Sequence, residues 1–422
     1  MRKFIFLFLL IMPYSLSTVV VGQTLTEYEG YYLTQPPYPV DDTRDWHPNH
    51  VEGQGLTNDG VNWFFTFTQN DGTNAFLWKV PVSIPLASDI IGQPGVISKA
   101  YANVPSLQTG GYQHWGDPDH YNYAGTDYIL VPITGNGTPI IACFLASNLS
   151  FVNYSYLDPT KQSDVGWCAI QNNGVLFTSS DNASSLLRYN INWNTLVNTT
   201  NHNAITWLQT YPLMNQNGVS MTLYNMQGGE FSPSGELLYL VAGSGQCLGF
   251  GNGIYSSDGI HVIETANWKE IKRSNNSDKT PGNFYFNYTF YNGCACFSGS
   301  QTPEGLTIWD LDNGTAPNVR GQLHVMVNFY NEWAACTDAI SLHHFSRNFY
   351  IDKANGSPNG WSNPLTGTKN RPFQTVAGAY SFYPIWDGAK MVIQAANYNE
   401  TVYLNKRIKI SSKGGSAIIG KP

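Results

Sequence analysis

Short runs of β-branched, aromatic and aliphatic residues recur along this chain, and each run is bounded by glycine, asparagine or proline. Residues 114–132, HWGDPDHYNYAGTDYILVP, show the pattern well. A polar, ring-rich segment is followed by Ala124-Gly125 and then by an apolar run over 128–132. This order predicts a short strand, a hairpin turn and a returning strand. Helical periodicity is scarce, so the pattern predicts an all-β protein.

The same arrangement begins again at other points of the chain, with polar residues at the start of the first strand. The starting segments lie near residues 50, 114, 166, 226 and 303. Repeats of roughly 50 to 80 residues, each with four short strands, are typical of a β-propeller. A pair of β-sandwiches is the alternative, but sandwiches do not repeat a glycine-flanked polar motif. We therefore predict a β-propeller of five or six four-stranded blades.

The repeats divide the chain into four parts. Residues 1–22 precede a Tyr- and Pro-rich arm over 23–49, and the blades occupy 50–345. Residues 346–422 contain further strand-like runs, which we expect either to form a sixth blade or to close the ring with the N-terminal arm.

The N-terminus has the pattern of a secretory signal peptide. Arg2-Lys3 supply positive charge, residues 4–12 are apolar, and small residues follow at Ser15, Ser17 and Gly22. No later apolar run approaches the roughly 18 residues needed to span a bilayer. We therefore expect a secreted, extracellular protein without a membrane span.

Composition agrees with that compartment. Charged residues make up 12% of the chain and aromatic residues 14%, so the surface must be built largely from Asn, Ser, Thr, Gly and Tyr. The formal net charge is −7. A nucleic-acid partner is not expected because the chain has no basic footprint.

Two further features are typical of secreted proteins. Six cysteines are an even number, which in an oxidising compartment allows three disulfides in any of 15 pairings; they are Cys143, Cys168, Cys247, Cys294, Cys296 and Cys336. A zinc site is not favoured because no CxxC pair is present. Acceptor triplets for N-glycosylation occur at Asn136, Asn148, Asn153, Asn182, Asn198, Asn275, Asn287, Asn313, Asn355 and Asn399.

Several motifs resemble a group of secreted propeller proteins known mostly from bacterial genomes. The motifs are HxGDxD at 114–119, WCA at 167–169, QGG at 227–229, EGxxxWDLD at 304–312 and GQLHV at 321–325. The resemblance covers roughly residues 50–345 and leaves 346–422 outside. It implies a propeller fold and secretion, and it implies no particular activity.

The polar residues that open the inner strands are the candidate site. In a propeller the innermost strand of each blade lines the central channel, so such residues converge from separated segments. Listed by blade they are His50 and Glu52; His114, Asp117, Asp119 and His120; Trp167; Gln227; and Glu304. We predict one central, acidic pocket that also contains histidine.

Three chemistries fit these side chains. Calcium could be held by oxygens of Glu52, Asp117, Asp119 and Glu304, with Gln227 as a further ligand. Paired carboxylates are suited to glycoside hydrolysis, for which Glu52, Asp117 and Glu304 are candidates. A histidine, His114 or His120, could act in general acid–base catalysis.

The remaining candidates, His50, His120, Trp167 and Gln227, would bind substrate. A purely structural alternative also stands, in which the carboxylates accept hydrogen bonds from backbone N–H groups and fill the channel.

For function, two classes remain open at this point. The first is an extracellular hydrolase or lyase that acts on a carbohydrate or similar polar substrate, with calcium as a candidate cofactor. The second is a lectin-like binding module without catalysis. A lectin predicts several similar shallow sites, one on each blade, whereas the blades here differ in their polar residues. That inequality favours one central site.

Overall fold

The computed structural model describes most of the blade region and parts of the C-terminal segment. The described residues are 41–42, 51–69, 74–86, 90–101, 111–112, 114–135, 138–243, 245–246, 259–275, 284–285, 300–311, 315–317, 319, 321–330, 339–345, 348–357, 372–382, 390–404 and 408–420. Their strands form five antiparallel sheets arranged as a five-bladed β-propeller, which confirms the predicted fold class.

The blades follow one another along the chain. Strand β1 (Asp41–Asp42) comes first and belongs to the last blade. Blade 1 contains β2 (Val51–Asn58), β3 (Asn62–Gln69), β4 (Ala75–Pro81) and β5 (Ile97–Tyr101). Blade 2 contains β6 (His114–Trp115), β7 (Asp119–Tyr123), β8 (Thr126–Thr134), β9 (Ile140–Leu145) and β10 (Phe151–Tyr156). Blade 3 contains β11 (Ala169–Ile170), β12 (Leu176–Thr178), β13 (Ser185–Ile191) and β14 (Ile205–Pro212), with helix α1 (Trp193–Asn198) before its last strand.

The last two blades complete the ring. Blade 4 contains β15 (Met226–Phe231), β16 (Leu237–Ala242), β18 (Gly259–Glu264), β19 (Lys269–Asn275) and β20 (Phe284–Tyr285). Blade 5 contains β21 (Ser300–Ile308), β22 (Leu323–Tyr330) and β23 (Ala339–Phe345), and the short strand β17 (Gly245–Gln246) pairs with its inner strand.

Ring closure uses the N-terminal arm. Strand β1 pairs antiparallel with β23, with Asp41 opposite Leu342, and so supplies the outer strand of blade 5. A strand from the start of the chain is thereby paired with strands from the end of the blade region, which closes the ring.

The C-terminal strands pair with one another rather than with a blade. Strands β24 (Asn348–Ile351), β25 (Lys390–Gln394) and β27 (Lys409–Lys413) form a parallel sheet, and β26 (Asn397–Tyr398) pairs parallel with β28 (Ile418–Ile419). Helix α2 (Val376–Phe382) lies between β24 and β25 in the chain. The blade strands pair antiparallel except for the outermost pair of blade 4, β19 and β20, so this parallel unit is an addition to the ring. Its residues Ile351, Met391 and Ile393 share a core cluster with Val325 and Tyr239 of blades 5 and 4.

The hairpin turns follow the predicted chemistry. In blade 2, Ala124 and Gly125 have φ values of 51° and 83°, the left-handed pair that a tight hairpin turn requires. In blade 1, the Asp59 carboxylate accepts hydrogen bonds from the backbone N–H groups of Val61 and Asn62, at 2.8 and 2.6 Å. Local sequence therefore determines where the first strand of each of these blades turns back.

The hydrophobic core lies between adjacent blades. Trp63 and Trp78 of blade 1 pack with Met326 and Leu342 of blade 5, and all four side chains are fully buried. Such aromatic and aliphatic contacts hold neighbouring sheets face to face. Within the described residues, no helix is long and apolar enough to cross a membrane.

The cysteines differ from the prediction. Cys143 and Cys168 are buried free thiols, so a framework of three disulfides that uses all six cysteines is wrong. Both side chains lie in the apolar core between blades 2 and 3, where neither has a cysteine partner. Cys247, Cys294, Cys296 and Cys336 lie outside the described residues.

The glycosylation triplets fall into two groups. Asn153 is 3% exposed, and its amide donates hydrogen bonds to the carbonyls of Leu196, Thr199 and Asn201. Asn153 therefore cannot carry a glycan in the folded protein. Five other acceptors are exposed: Asn148, Asn182, Asn198, Asn355 and Asn399. The side chains of Asn136, Asn275, Asn287 and Asn313 lie outside the described part of the chain.

Candidate functional site: an acidic cavity on the propeller axis

One glycine from each inner segment lies at the axis, where the five blades meet. These glycines are Gly55, Gly116, Gly166, Gly228 and Gly305. A Cβ atom on Gly305 would come within 2.7 Å of the Gly55 Cα, and one on Gly228 would come equally close to the Gly305 Cα. The backbones therefore touch across the axis, and a side chain at these positions would push them apart.

Asp117 fills the space that the glycines leave. Its Oδ1 accepts a hydrogen bond from the Leu56 N–H at 2.9 Å, and its Oδ2 accepts from Gly229 and Leu306 at 3.1 and 3.3 Å. Each donor directly follows an axial glycine, in blades 1, 4 and 5 respectively. The strands have β-bulges at these glycines, which leave the N–H groups free of the ladder and pointing inward.

The backbone of Asp117 completes the ring. Its N–H donates to the Gly166 carbonyl at 2.8 Å, and its own carbonyl accepts from Cys168 at 3.2 Å. One residue of blade 2 thus bonds to all four other blades. The side chain is fully buried, and this desolvation raises the pKa of the Asp117 carboxyl well above its usual range despite the three N–H donors. Asp117 therefore has the purely structural role described above, in which a carboxylate accepts hydrogen bonds from backbone N–H groups and fills the channel.

Glu52 and Glu304 lie on the side of the axial glycines where the inner strands begin. The charge of Glu52 adds to burial in raising the pKa of Glu304, while a hydrogen bond from the Asn328 side chain opposes the shift. The Asn328 amide also donates to the Gly53 carbonyl at 2.6 Å, and the Glu52 carboxylate accepts from Gln54 at 3.0 Å. The structure thus brings Glu52 and Glu304 near each other at one end of the axis. Asp117 separates them from the other end, where the inner strands end.

A cavity of about 400 Å³ opens on the other side of Asp117, where the inner strands end. Its described lining combines carboxyl, amide and aromatic groups: Thr57, Asn58, Asp119, His120, Tyr121, Asn122, Ile170, Asn172, Glu230, Phe231, Ser232, Pro233 and Ile308. Lysine and arginine do not occur among these lining residues. The axis thus holds two acidic groups separated by Asp117, where the sequence predicted one.

Asp119 lies at the floor of this cavity. It is 3% exposed, and its Oδ2 and Oδ1 accept hydrogen bonds from the backbone N–H groups of Ile170 and His120 at 2.5 and 2.6 Å. Burial raises the pKa of Asp119 to about 7, because desolvation outweighs these hydrogen bonds and one from the Thr57 hydroxyl. At neutral pH both the protonated and the ionised form of this carboxyl are therefore populated.

Glu230 faces Asp119 from blade 4 and was not among the predicted site residues. Burial raises the pKa of Glu230 well above its usual range, and the charges of Asp119 and Asp117 raise it further. The Thr307 hydroxyl donates a weak hydrogen bond to its Oε2 at 3.4 Å. The sequence does contain a signal for Glu230. It stands two residues after an axial glycine, as Thr57 and Thr307 do, and all three lie around the same axis.

His120 forms the side wall of the cavity. Its Nε2 lies 3.0 Å from Oδ1 of Asp127, and the same oxygen accepts a hydrogen bond from the Asn122 amide at 2.8 Å. The His120 and Asn122 hydrogen bonds lower the pKa of Asp127 and keep it ionised. An ionised Asp127 can only accept, so the N–H at Nε2 of His120 donates this hydrogen bond.

The other predicted residues take different positions. Trp167 is fully buried in the core, with its Nε1 donating to Ser179 at 2.9 Å, so its ring is not available to a ligand. Gln227 is half-buried beside Gly166. His114 is exposed at the start of blade 2, before its axial glycine. His50 lies outside the described residues.

The described residues contain no group of three or more His, Cys, Asp or Glu side chains placed to hold a metal ion. Most of the predicted calcium ligands are also separated. Asp117 and Asp119 already accept backbone hydrogen bonds, while Glu52 and Glu304 lie beyond the axial glycines. Calcium therefore stays a prediction.

Comparison with solved structures finds likenesses of low TM-score and low sequence identity. The chain is similar to a GH43_1 enzyme from Xanthomonas citri at 8% identity and a TM-score of 0.38, over 72% of this chain and 88% of that one. It is similar to an endo-arabinase from Bacteroides thetaiotaomicron at 12% identity and a TM-score of 0.36, over 73% and 97%. A hydrazine synthase from Kuenenia stuttgartiensis matches at 12% identity and a TM-score of 0.25, over 51% and 46%. No protein-family model and no curated protein matches.

Fold and site together define the class of this protein. It is a five-bladed β-propeller whose axis is blocked by one aspartate and whose cavity beyond that aspartate is lined by two carboxyl groups. Structural likeness at such low TM-scores carries no argument about substrate, so function has to be argued from the cavity itself.

Proposed function

We propose that this protein is a secreted hydrolase that cleaves a carbohydrate or similar polar substrate in the axial cavity. Glu230 is the proton donor and Asp119 the second carboxyl group. The observation that carries the proposal is the meeting of these two carboxyls, from blades 4 and 2, in one open cavity where burial raises both pKa values. Secretion rests on the N-terminal sequence pattern.

The chemistry follows from the two protonation states. Glycoside hydrolysis requires one carboxylic acid that protonates the leaving oxygen and one carboxylate that assists attack or stabilises positive charge. Burial, followed by the charges of Asp119 and Asp117, raises the pKa of Glu230 and so favours its protonated form. Asp119 loses its proton near pH 7 and supplies the carboxylate. Amides of Asn122 and Asn172 line the cavity, and each can donate one N–H to a sugar hydroxyl and accept from another. Both N–H groups of Asn58 already donate to Thr307 and Ile308, so Asn58 can only accept.

Hydrolysis fits the cavity better than a lyase reaction. Elimination from an acidic sugar builds negative charge beside the substrate carboxylate, which must be stabilised by cations or by strong donors. The described lining has no lysine or arginine, and its carboxyl groups would oppose that charge. A transition state of oxocarbenium character is positive, and the same groups would stabilise it.

Binding without catalysis is the second candidate, and one observation favours it. Both oxygens of Asp119 already accept backbone hydrogen bonds, which is typical of a carboxylate with a structural role. In that case Glu230 would hold a polar ligand and transfer no proton. The two candidates differ in whether the substrate is consumed.

The test compares Glu230→Gln and Asp119→Asn with Glu236→Gln, an exposed glutamate six residues further along blade 4. A panel of neutral and amino-sugar oligosaccharides is incubated with each protein, and reducing ends and bound ligand are measured. We expect the wild type and Glu236→Gln to release reducing ends. Glu230→Gln should lose at least about 100-fold in kcat, as expected for removal of a general acid.

Ligand binding separates the remaining outcomes. Glu230→Gln that binds oligosaccharide but does not cleave it supports the catalytic assignment. If the wild type binds without cleavage, the protein is a binding module. Equal cleavage by wild type and Glu230→Gln would overturn the assignment of Glu230.

A further inference from the structure

The cavity has an unusual charge balance. Asp119 and Glu230 line it directly, and Asp117 lies immediately beneath. The charge of Asp119 raises the pKa of both Asp117 and Glu230, and the charge of Asp117 raises that of Glu230. The wall that an occupant would touch is therefore acidic at two points, with a third carboxyl beneath it.

The described residues around the cavity supply little positive charge to offset these groups. The partners of Asp117 and Asp119 are backbone N–H groups and a threonine hydroxyl, all of them neutral. Among the described lining residues His120 is the one side chain able to carry positive charge, and its Nε2 is held by Asp127. The thiol of Cys168 is neutral as well, because burial and the charges of Asp119 and Asp117 raise its pKa. An occupant that carries positive charge would supply what the cavity lacks.

A divalent metal is a poor occupant for this position. Calcium requires six to eight oxygen ligands. Three backbone donors hold Asp117 and two hold Asp119, and the described residues contain no group placed to chelate a metal. An ammonium group needs fewer contacts, since it has three N–H donors, and each carboxylate can accept about four hydrogen bonds.

We infer that the sugar unit bound in this cavity carries an ammonium group, as an amino sugar does. This inference rests on the proposed function because it names the substrate class of the same site. The ammonium would lie near Asp119 and Glu230, with neutral hydroxyls directed to the amides of Asn58 and Asn172. An acidic sugar would be excluded by charge repulsion.

Binding of such a group is linked to protons. An ammonium near Asp119 stabilises its ionised form and so releases a proton when Asp119 is protonated in the free protein. The groups that face Asp119 are Asp117, Glu230 and the thiol of Cys168, and the His120 backbone N–H donates to it. Affinity for an amine should therefore rise between pH 5 and 7.5, whereas affinity for a neutral sugar should not.

The experiment uses three monosaccharides that differ mainly in charge: glucosamine, glucose and glucuronate. Titration calorimetry of the full-length protein is carried out at pH 5.5 and 7.5, and at pH 6.5 in two buffers of different ionisation enthalpy, with Asp119→Asn and Glu236→Gln as variants. We expect glucosamine to bind at least about tenfold more tightly than glucose at pH 6.5, with net proton release from Asp119. Asp119→Asn should reduce that preference severalfold, whereas Glu236→Gln should keep it, and melting temperatures should show both variants folded.

Three results would overturn the inference: equal binding of glucosamine and glucose, including no binding by either; tighter binding of glucuronate; or displacement of glucosamine by calcium chloride, which would make the occupant a metal. The proposed hydrolase can fail separately. If glucosamine is preferred and no glycoside is cleaved, the charge inference stands and catalysis does not. If neutral glycosides are cleaved without preference for the amine, catalysis stands and the charge inference does not.

Discussion

Asp117 and Asp119 stand two residues apart in one motif and have different surroundings. The carboxylate of Asp117 points to the axis, where N–H groups of blades 1, 4 and 5 converge on it. The carboxylate of Asp119 bonds to Ile170 of blade 3 and borders the open cavity. Two identical side chains therefore have different roles: Asp117 holds the blades together, and Asp119 belongs to the candidate site.

Replacing Asp117 should destabilise the whole ring. Asp117→Ala leaves three buried N–H groups without an acceptor, and each such loss costs about 1–3 kcal/mol. We expect a loss of at least about 3 kcal/mol in the free energy of unfolding, measured by urea denaturation. Asp59→Ala is the matched control, because Asp59 also accepts backbone N–H groups but in a surface turn where water can replace it. A loss no larger than that of the control would contradict the role of Asp117.

Asp119 should make stability depend on pH. Its pKa is raised from 3.8 to about 7, so the folded state favours the protonated carboxyl. The stabilisation from this group is present below pH 4 and is lost as pH rises toward 7, by at most about 1.4 kcal/mol per pH unit. Asp119→Asn should therefore gain stability relative to the wild type between pH 4 and 8, as measured by denaturation at each pH. A difference that does not change with pH would show that Asp119 is not buried as an acid.

At the scale of elements, the inner strands of three blades share one local design. Each has a β-bulge ending at its axial glycine, at Gly55, Gly228 and Gly305, and the next N–H group turns toward Asp117. The bulge turns one backbone N–H group toward the axis, and the glycine allows the backbones of neighbouring blades to approach each other. The inner strands are thus shaped for contact at the axis.

Gly305→Ala tests that design. The added Cβ would come within 2.7 Å of both the Asp117 Cγ and the Gly55 Cα, and neither can move without shifting a blade. Overpacking of this kind costs about 1–3 kcal/mol or more. In Gly60→Ala, by contrast, the new methyl meets no atom within 4 Å, and only its φ of 84° opposes alanine. Calorimetric melting should show a larger loss for Gly305→Ala, together with weaker ligand binding. The reverse order would mean that the axis is loosely packed.

At the scale of the whole molecule, cohesion comes from packing between blades and from closure by β1. The interface between blades 2 and 3 buries Cys143 and Cys168 among aromatic and aliphatic side chains. Burial raises the pKa of both thiols, so they should be unreactive in the folded protein. An oxidising compartment therefore need not join these two cysteines.

Thiol titration checks this arrangement. The native, unreduced protein should show no reaction at Cys143 or Cys168, and denaturation in guanidinium without reductant should expose at least two thiols. A Cys143→Ser, Cys168→Ser double variant should expose two fewer. Detection of no thiol in the denatured wild type would mean that both residues are oxidised and that the described core is incorrect.

Much of the fold follows from the sequence, because strands and hairpin turns depend on neighbouring residues. The alternation of apolar runs with Asn-Gly, Asp-Gly and Ala-Gly turns predicted the blades and their inner strands. The polar motifs at residues 52, 117 and 304 lie on the inner strands, near the axial glycines. Local chemistry is enough for these features, since β-branched residues, left-handed glycines and side-chain caps act within a few residues of one another.

What the sequence could not determine is which side of the axial glycines each polar side chain occupies. Glu52 and Glu304 precede those glycines and Asp119 and Glu230 follow them, but bulges shift the alternation of side chains by one residue. The resulting direction depends on pairing with the next strand. Trp167 looked like a binding residue until its ring was seen to pack against Gly229 of the neighbouring blade. Tertiary structure alone brought Glu230 to Asp119, because their 111 residues of separation in the chain are closed only when five blades complete a ring.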